Sequence, residues 1–229
     1  MSLCFQTMTD DPIRAVIPFK KENAKSRLSE VLSKTHRQEL ALCMLFDVTS
    51  ALEKSGKFNE IDILNSSFSS IMNTKFPLNI NVLLNEKSLN DALNEYLRKS
   101  AEHWDGAVLI IMADMPLVTE KQIIELTNMT ADVVIAPGSG GGTNALLIRN
   151  PGKFHVDYYG TSFLDHMRIT REAGLSVDVY DSFLVSTDMD EPDDLVELLI
   201  HGQGRAADYL RSVGIFLDTK TGKLDLKKK

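Results

Sequence analysis

Two spacings of apolar residues alternate along the chain. Ile13–Pro18 is a short apolar run that predicts a first strand. Over Thr35–Lys54 the spacing becomes helical, with Leu40, Ala41, Met44, Leu45, Val48, Ala51 and Leu52 on one face. Thr35 and Gln38 have the spacing of a capping box, and Gly56 follows the helix end. Glu60–Asn65 and Asn79–Leu84 predict short strands, and Ser88–Ala101 a helix opened by Ser88 and Asp91. Gly106–Met112 is continuously apolar and reads as a central parallel strand. Thr119 and Gln122 open the next helix, and Asp132–Pro137 is the next strand. After the loop Gly138–Asn144 come a strand over Ala145–Arg149 and a helix over Ser162–Ala173, with Ser162 as N-cap and Gly174 as stop. Val177–Tyr180 predicts a strand, and Pro192 opens a helix that runs to about Ile200.

Strands and helices in alternation predict an α/β fold whose parallel-rich sheet is covered by helices on both sides. Ligands are then expected where strands deliver their C-terminal ends. No internal repeat or Pro/Ser-rich linker divides the chain. The expected organisation is a ragged leader over residues 1–12, whose Met1-Ser-Leu looks like an expression remnant, one domain over 13–217, and a solvated tail over 218–229.

Composition narrows the chemistry. The chain has 229 residues, 43% hydrophobic and 25% charged, enough to bury a core without staples. Its two cysteines, Cys4 and Cys43, exclude a disulfide scaffold and a CxxC metal site. The apolar run Ala107–Met112 is far short of the roughly 18 residues of a membrane helix. The first dozen residues lack a secretory signal, so the expected location is cytoplasmic, with no membrane partner. A net charge of −7 argues against a nucleic-acid partner but leaves room for a local basic pocket.

Such a pocket has a candidate directly after the first strand. Lys20, Lys21, Lys25 and Arg27 fall within eight residues, where a phosphate would lie, or else they form a solvated basic loop. The stretch has no glycine, so it is neither a dinucleotide fingerprint nor a P-loop. Asp114 stands just past the most hydrophobic strand, either as a cation ligand or as a turn residue before Pro116. In Ser186–Pro192, residues i and i+2 of an extended chain face one way, so Asp188 and Asp190 point together while Met189 faces the core. That oxygen-only pair suits Mg²⁺ or Mn²⁺; a plain helix cap explains Asp190 but not Asp188. Gly138–Asn144 offers backbone N–H groups as an anion nest or is a flexible hairpin, and the helix opened by Ser162 is a second anion site or a plain cap. The five histidines show no zinc spacing, and no nucleophile elbow is present.

Together these pieces suggest nucleotidyl transfer, in which a phosphate monoester nucleophile, largely dianionic at neutral pH, needs no strong base. The combination of Ile17-Pro-Phe-Lys20, Ala24-Lys-Ser-Arg-Leu28, Leu89-Asn-Asp-Ala-Leu93, Ala113-Asp-Met-Pro116, Gly142-Thr-Asn-Ala-Leu146, Gly160-Thr-Ser-Phe163 with His166, and Asp188-Met-Asp-Glu-Pro192 resembles the 2-phospho-L-lactate guanylyltransferases over about residues 13–200. The resemblance implies a single-domain, Rossmann-like three-layer nucleotide-diphospho-sugar transferase (GT-A-like) fold with a mixed, mostly parallel sheet. It implies transfer of GMP from GTP to 2-phospho-L-lactate, a small phosphorylated three-carbon acid, on the route to the deazaflavin coenzyme F-420. It assigns Asp114, Asp188 and Asp190 to the metal (Mg²⁺, or Mn²⁺) and, with Lys25, to catalysis. It places Lys20, Lys25 and Arg27 at the GTP phosphates, Asn90 near ribose or guanine, and Thr143, Gly160 and Ser162 at the acceptor. It also implies a homodimer. Phosphoenolpyruvate as acceptor, a molybdenum-cofactor or sugar-phosphate nucleotidyltransferase, and a non-catalytic nucleotide-binding regulator are the competing readings.

Overall fold

The structure is a computed structural model, and it describes residues 12–21, 25–66, 71, 80–218 and 225–228, the last stretch as backbone. The expected leader (through residue 11) and residues 219–224 and 229 of the expected tail lie outside the described residues, as do 22–24 of the basic segment and Asn79.

Seven strands form one sheet in the order β3-β2-β1-β4-β6-β5-β7. They are β1 (Ile13–Phe19), β2 (Phe58–Asn65), β3 (Ile80–Leu84), β4 (Ala107–Ile111), β5 (Val133–Pro137), β6 (Thr143–Ile148) and β7 (Val177–Val179). β1 pairs in parallel with β2 and β4, β2 with β3 and β5 with β7. Only β6 runs antiparallel to its neighbours β4 and β5, so the sheet is mixed but mostly parallel.

The alternation of side chains decides which helix covers which face. Ala15, Ile17, Leu109, Ile111 and Leu147 belong to one core, roofed by α1 (Lys34–Ser55), α3 (Glu120–Asn128), the short α5 (Phe183–Ser186), α6 (Pro192–His201) and α7 (Arg205–Ser212). Val16, Val108, Ile110, Leu146 and Ile148 belong to the other, roofed by α2 (Leu89–His103) and α4 (Ser162–Glu172). All five residues of β4 are buried, as its unbroken apolar run requires. Among the described residues no helix is long and apolar enough to cross a membrane.

Several local expectations are corrected. α1 is capped by Ser33, whose hydroxyl accepts from the His36 N–H at 3.2 Å; Thr35 is already helical. The capping box of Thr119 and Gln122 forms as its spacing predicts. β6 begins at Thr143, so Thr143 and Asn144 are strand residues rather than the end of the glycine loop. Past Gly202 the chain continues into α7 and then β8 (Ile215–Asp218), which pairs with the backbone of β9 (Asp225–Lys228) in a two-stranded antiparallel sheet. Residues 225–228 of the expected tail are thus a strand.

Candidate active site

Three chain segments deliver carboxylates to one point. β4 ends at Ile111, and Met115, fully buried, anchors the turn that carries Asp114. The Met189 N–H donates to the Asp114 carbonyl at 3.0 Å, which ties the 188–190 segment to that turn. Met189 is fully buried, so its neighbours Asp188 and Asp190 share the opposite side. One carboxylate oxygen from each of Asp114, Asp188 and Asp190 lies within 4.8 Å of the others.

Asp190 does not cap the following helix. Glu191 is the N-cap of α6, and the Asp194 carboxylate accepts from the backbone N–H groups of Asp190 at 2.9 Å and Glu191 at 2.7 Å. The Asp190 side chain is left to the site. Pro192 takes the first helical turn, where its missing N–H is no loss.

Lys25 closes the cluster. Its Nζ donates to Asp114 Oδ2 at 2.5 Å and to Asp190 Oδ1 at 2.6 Å, with the side chain 10% exposed. The turn that carries it, a 3-10 segment over Ser26–Glu30, is pinned by fully buried Leu28, whose N–H donates to the Lys25 carbonyl at 3.0 Å. Lys25 has φ 56° and is the one non-glycine residue with positive φ among the described residues. That left-handed backbone costs about 1–2 kcal/mol and persists only where surrounding contacts hold it. Burial opposes the ammonium, but Asp114 and Asp190 outweigh it and raise the Lys25 pKa. Burial, then the Asp114 charge, raises the Asp188 pKa. Three carboxylates against one ammonium leave two negative charges, the complement of a divalent cation. Asp114 Oδ1 is buried without a hydrogen-bond partner, an orphan acceptor that a hard cation would satisfy. The oxygen-only donor set and that orphan fit a divalent ion.

The other basic residues divide. Lys21 pairs with Glu39 at 3.3 Å on the surface. Arg27, 68% exposed, reaches Glu191 at 3.6 Å and Asp190 at 4.0 Å, so it borders the carboxylates from the solvent side. Lys20 lines a cleft of about 430 Å³ at the ends of β1, β2 and β4, floored by Phe19, Leu64, Ala92 and Met112. A larger cleft of about 580 Å³, between α1, the 116–120 turn and residues 201–204, contains none of the site residues. Asn90 stands beside the first cleft, but its carboxamide clamps the segment after β6. Nδ2 donates to Asp157 Oδ1 at 2.9 Å and Oδ1 accepts the Tyr158 N–H at 2.8 Å, leaving one amide proton over.

The remaining expected residues form a second group. Thr143 is 3% exposed and Ser162 2%, and their hydroxyls lie 3.3 Å apart. Ser162 is the first residue of α4 rather than its cap: Thr161 holds the cap position, and the Thr143 hydroxyl draws the Ser162 side chain away from the helix backbone. Gly160 is exposed with φ 70°, which suits it to the turn into α4. In the anion nest expected in 138–144, three N–H groups are already used within the protein. The N–H groups of Gly138, Ser139 and Gly141 go to the carbonyls of Gly142, Ser186 and Gly138, each at 3.0 Å. The Phe163 N–H of α4 goes to the Gly141 carbonyl at 3.2 Å.

Two residues without an expected role hold the site. Asn144 Nδ2 donates to the Val185 carbonyl at 2.9 Å and to Asp188 Oδ1 at 3.2 Å, orienting that carboxylate. Gly138 makes room for it, since a Cβ there would come within 2.6 Å of Asn144 Oδ1. Gly138→Ala is therefore expected to displace the amide and weaken divalent-ion affinity about 10–100-fold, as loss of a ligand-orienting partner does; calorimetric titration with Mg²⁺ or Mn²⁺ checks it. The second residue is His166, on α4 one turn after Ser162 and fully buried. Burial pushes its pKa down to about 4, against the raising effect of Asp157 and Asp165. The unfolded imidazole, near 6.5, takes up a proton that the folded one refuses, so stability is lost as pH falls below 6.5. Going from pH 7 to pH 5 should cost roughly 2 kcal/mol, read from urea midpoints, and His166→Phe should flatten that slope.

Residues 13–228 match the family described as guanylyl transferase CofC like. The 2-phospho-L-lactate guanylyltransferase of Methanocella arvoryzae is 49% identical over 211 residues, covering 91% of this chain and 90% of that protein. The one from Methanosarcina mazei is 49% identical over 214 residues, covering 93% and 99%. Among solved structures, a Desulfovibrio desulfuricans G20 protein assigned to the nucleotide-diphospho-sugar transferases superposes with a TM-score of 0.72 at 16% identity, over 87% of this chain and 94% of that one. The fold is shared with those transferases, and the chain belongs to the CofC-like guanylyltransferase family.

Proposed function

We propose that this protein is the enzyme that transfers GMP from GTP to 2-phospho-L-lactate, giving lactyl-2-diphospho-5′-guanosine and pyrophosphate. The observation that carries the reading is the convergence of Asp114, Asp188 and Asp190 within 4.8 Å, with the Lys25 ammonium against two of them. The names of relatives that are about half identical over nine-tenths of the chain supply the substrates.

In this reading Asp114, Asp188 and Asp190 hold Mg²⁺, with Mn²⁺ as a substitute. When bound, the ion neutralises charge building up as pyrophosphate leaves. Lys25, already directed at the carboxylates, shifts between them and the triphosphate. Lys20 and Arg27 flank it from the cleft side and the solvent side. The apolar floor of the 430 Å³ cleft takes the base, and the Asn90 clamp keeps one wall in register. Thr143, Gly160 and Ser162 take the acceptor. The acceptor phosphate is mostly dianionic at neutral pH and attacks the α-phosphorus without a protein base. Positioning and charge neutralisation do most of the work. A homodimer in the cytoplasm belongs to the same reading.

Pyrophosphate release should be measured for each nucleoside triphosphate against 2-phospho-L-lactate, phosphoenolpyruvate and sugar phosphates, with Mg²⁺. Release with GTP and phospholactate is expected. Release only with phosphoenolpyruvate would shift the acceptor. Nucleotide binding with no release from any pair would turn the protein into a regulator.

A further inference from the structure

His166 is the one fully buried histidine among the described residues, and it touches the acceptor group without belonging to it. Its ring packs edge-on to Tyr158 with centroids 4.9 Å apart and lies 6.0 Å from Phe154, so it has one orientation. Both nitrogens are committed. The Asp157 N–H points at Nε2 from 3.1 Å, and Nδ1 lies 2.9 Å from Thr143 Oγ1. A backbone N–H can only donate, so Nε2 must accept. Burial keeps the ring neutral, and its single proton therefore sits on Nδ1 and is given to Thr143.

Thr143 and Ser162 bring two hydroxyl protons, and the 3.3 Å contact between them uses one. Thr143 cannot pass the other to the ring, because the ring is already donating. Neither hydroxyl makes a further hydrogen bond among the described residues. With the opposite tautomer, Ser162 would donate to Thr143 and Thr143 to Nδ1, and both protons would be used up inside the protein. We propose that His166 is a positioning residue that makes the Thr143–Ser162 pair a net hydrogen-bond donor, selective for an anionic group of the acceptor, its carboxylate or its phosphate. The proposal rests on the acceptor reading of Thr143 and Ser162 given above. It places the origin of that selectivity in the backbone N–H of Asp157, which Asn90 holds through the Asp157 carboxylate. An O–H···O⁻ bond is charge-assisted, and its loss weakens binding of an anion specifically.

Two measurements test it on the intact protein. In a ¹⁵N-histidine spectrum of the wild type at neutral pH, the His166 proton is expected on Nδ1; a proton on Nε2 would overturn the proposal. In steady-state kinetics, His166→Phe keeps the ring volume and removes the donor. It is expected to raise the acceptor KM about tenfold while leaving the GTP KM unchanged. His166→Asn places an amide N–H near the Nδ1 position and should recover most of that loss. A folded His166→Phe enzyme with an unchanged acceptor KM, or equal rises in both KM values, would leave His166 a packing residue. The spectrum requires no substitution, so it decides the matter even where the phenylalanine variant fails to fold. It is also independent of turnover: a wild type inactive on every phosphoacid would defeat the functional reading while the tautomer result stood.

Discussion

Asp188→Asn is expected to lower turnover by about 10²–10³-fold while the unfolding temperature holds or rises. The two effects have opposite signs for one reason. Burial and the neighbouring Asp114 charge make the ionised form of Asp188 unfavourable in the folded protein. Asparagine removes that charge and keeps an oxygen that can still accept from Asn144 Nδ2. Folding loses nothing from the exchange and gains relief from like charges. Catalysis loses one of three anionic oxygens grouped within 4.8 Å. Pyrophosphate release and thermal melts on the same preparation check both halves. A normal rate at limiting Mg²⁺ would remove Asp188 from any metal role, and a large drop in melting temperature would mean that the carboxylate is structural.

Lys25→Met should reduce kcat/KM for GTP by about 10²–10³-fold, mostly through a higher KM. It should also destabilise the metal-free protein, by about 1–3 kcal/mol, because Asp114 and Asp190 are then left without their ammonium. Asp114 and Asp190 keep side-chain exposures of 27% and 46%, so water takes up part of the loss. Added Mg²⁺ should restore the variant's melting temperature more than the wild type's, since the ion binds the folded cluster alone. Lys25→Arg is expected to fail as a rescue. The slot between Asp114 Oδ2 and Asp190 Oδ1 fits a compact ammonium at 2.5 and 2.6 Å, and a planar guanidinium is too broad for it. Unchanged GTP dependence in Lys25→Met would make the basic turn an ordinary surface.

What could be read from the sequence follows the range of the interactions. The β4 run, the Thr119–Gln122 box and the i, i+2 carboxylates of Asp188 and Asp190 are encoded by neighbours, and local sterics suffice to predict them. Asn144 could not be read in this way. Its contact with Asp188, 44 positions on, depends on the β5–β6 register and on the missing side chain of Gly138. Helix α7 is similar. Its first N–H groups, from Arg205 and Ala206, are capped at 2.7 and 2.9 Å by Asp47 of α1, and Gly204 lies where a Cβ would strike that carboxylate. The sequence places Ser162 at the cap of α4 because a helix-capping serine and a serine bound to Thr143 have the same local sequence. His166 did leave a trace, since it stands four residues after Ser162 on one helical face. Its meaning depends on the Asp157 N–H, which comes from an irregular segment.

The reversed direction of β6 divides the labour of the site. Strands β1 and β4 reach the rim by their last residues, so what they present is fixed by turns that leave the sheet: Lys25 beyond one, Asp114 beyond the other. β6 enters the sheet at that same rim and presents its first residues, Thr143 and Asn144, directly behind the glycine hairpin. An insertion or deletion in 159–161 would remodel the pocket proposed for the phosphoacid from the Gly160 side, whereas one in 138–142 would also move Asn144 and, through it, Asp188. Exchange of one three-carbon acid for another is then open to editing of the one short connector before α4, with the carboxylate cluster inherited unaltered.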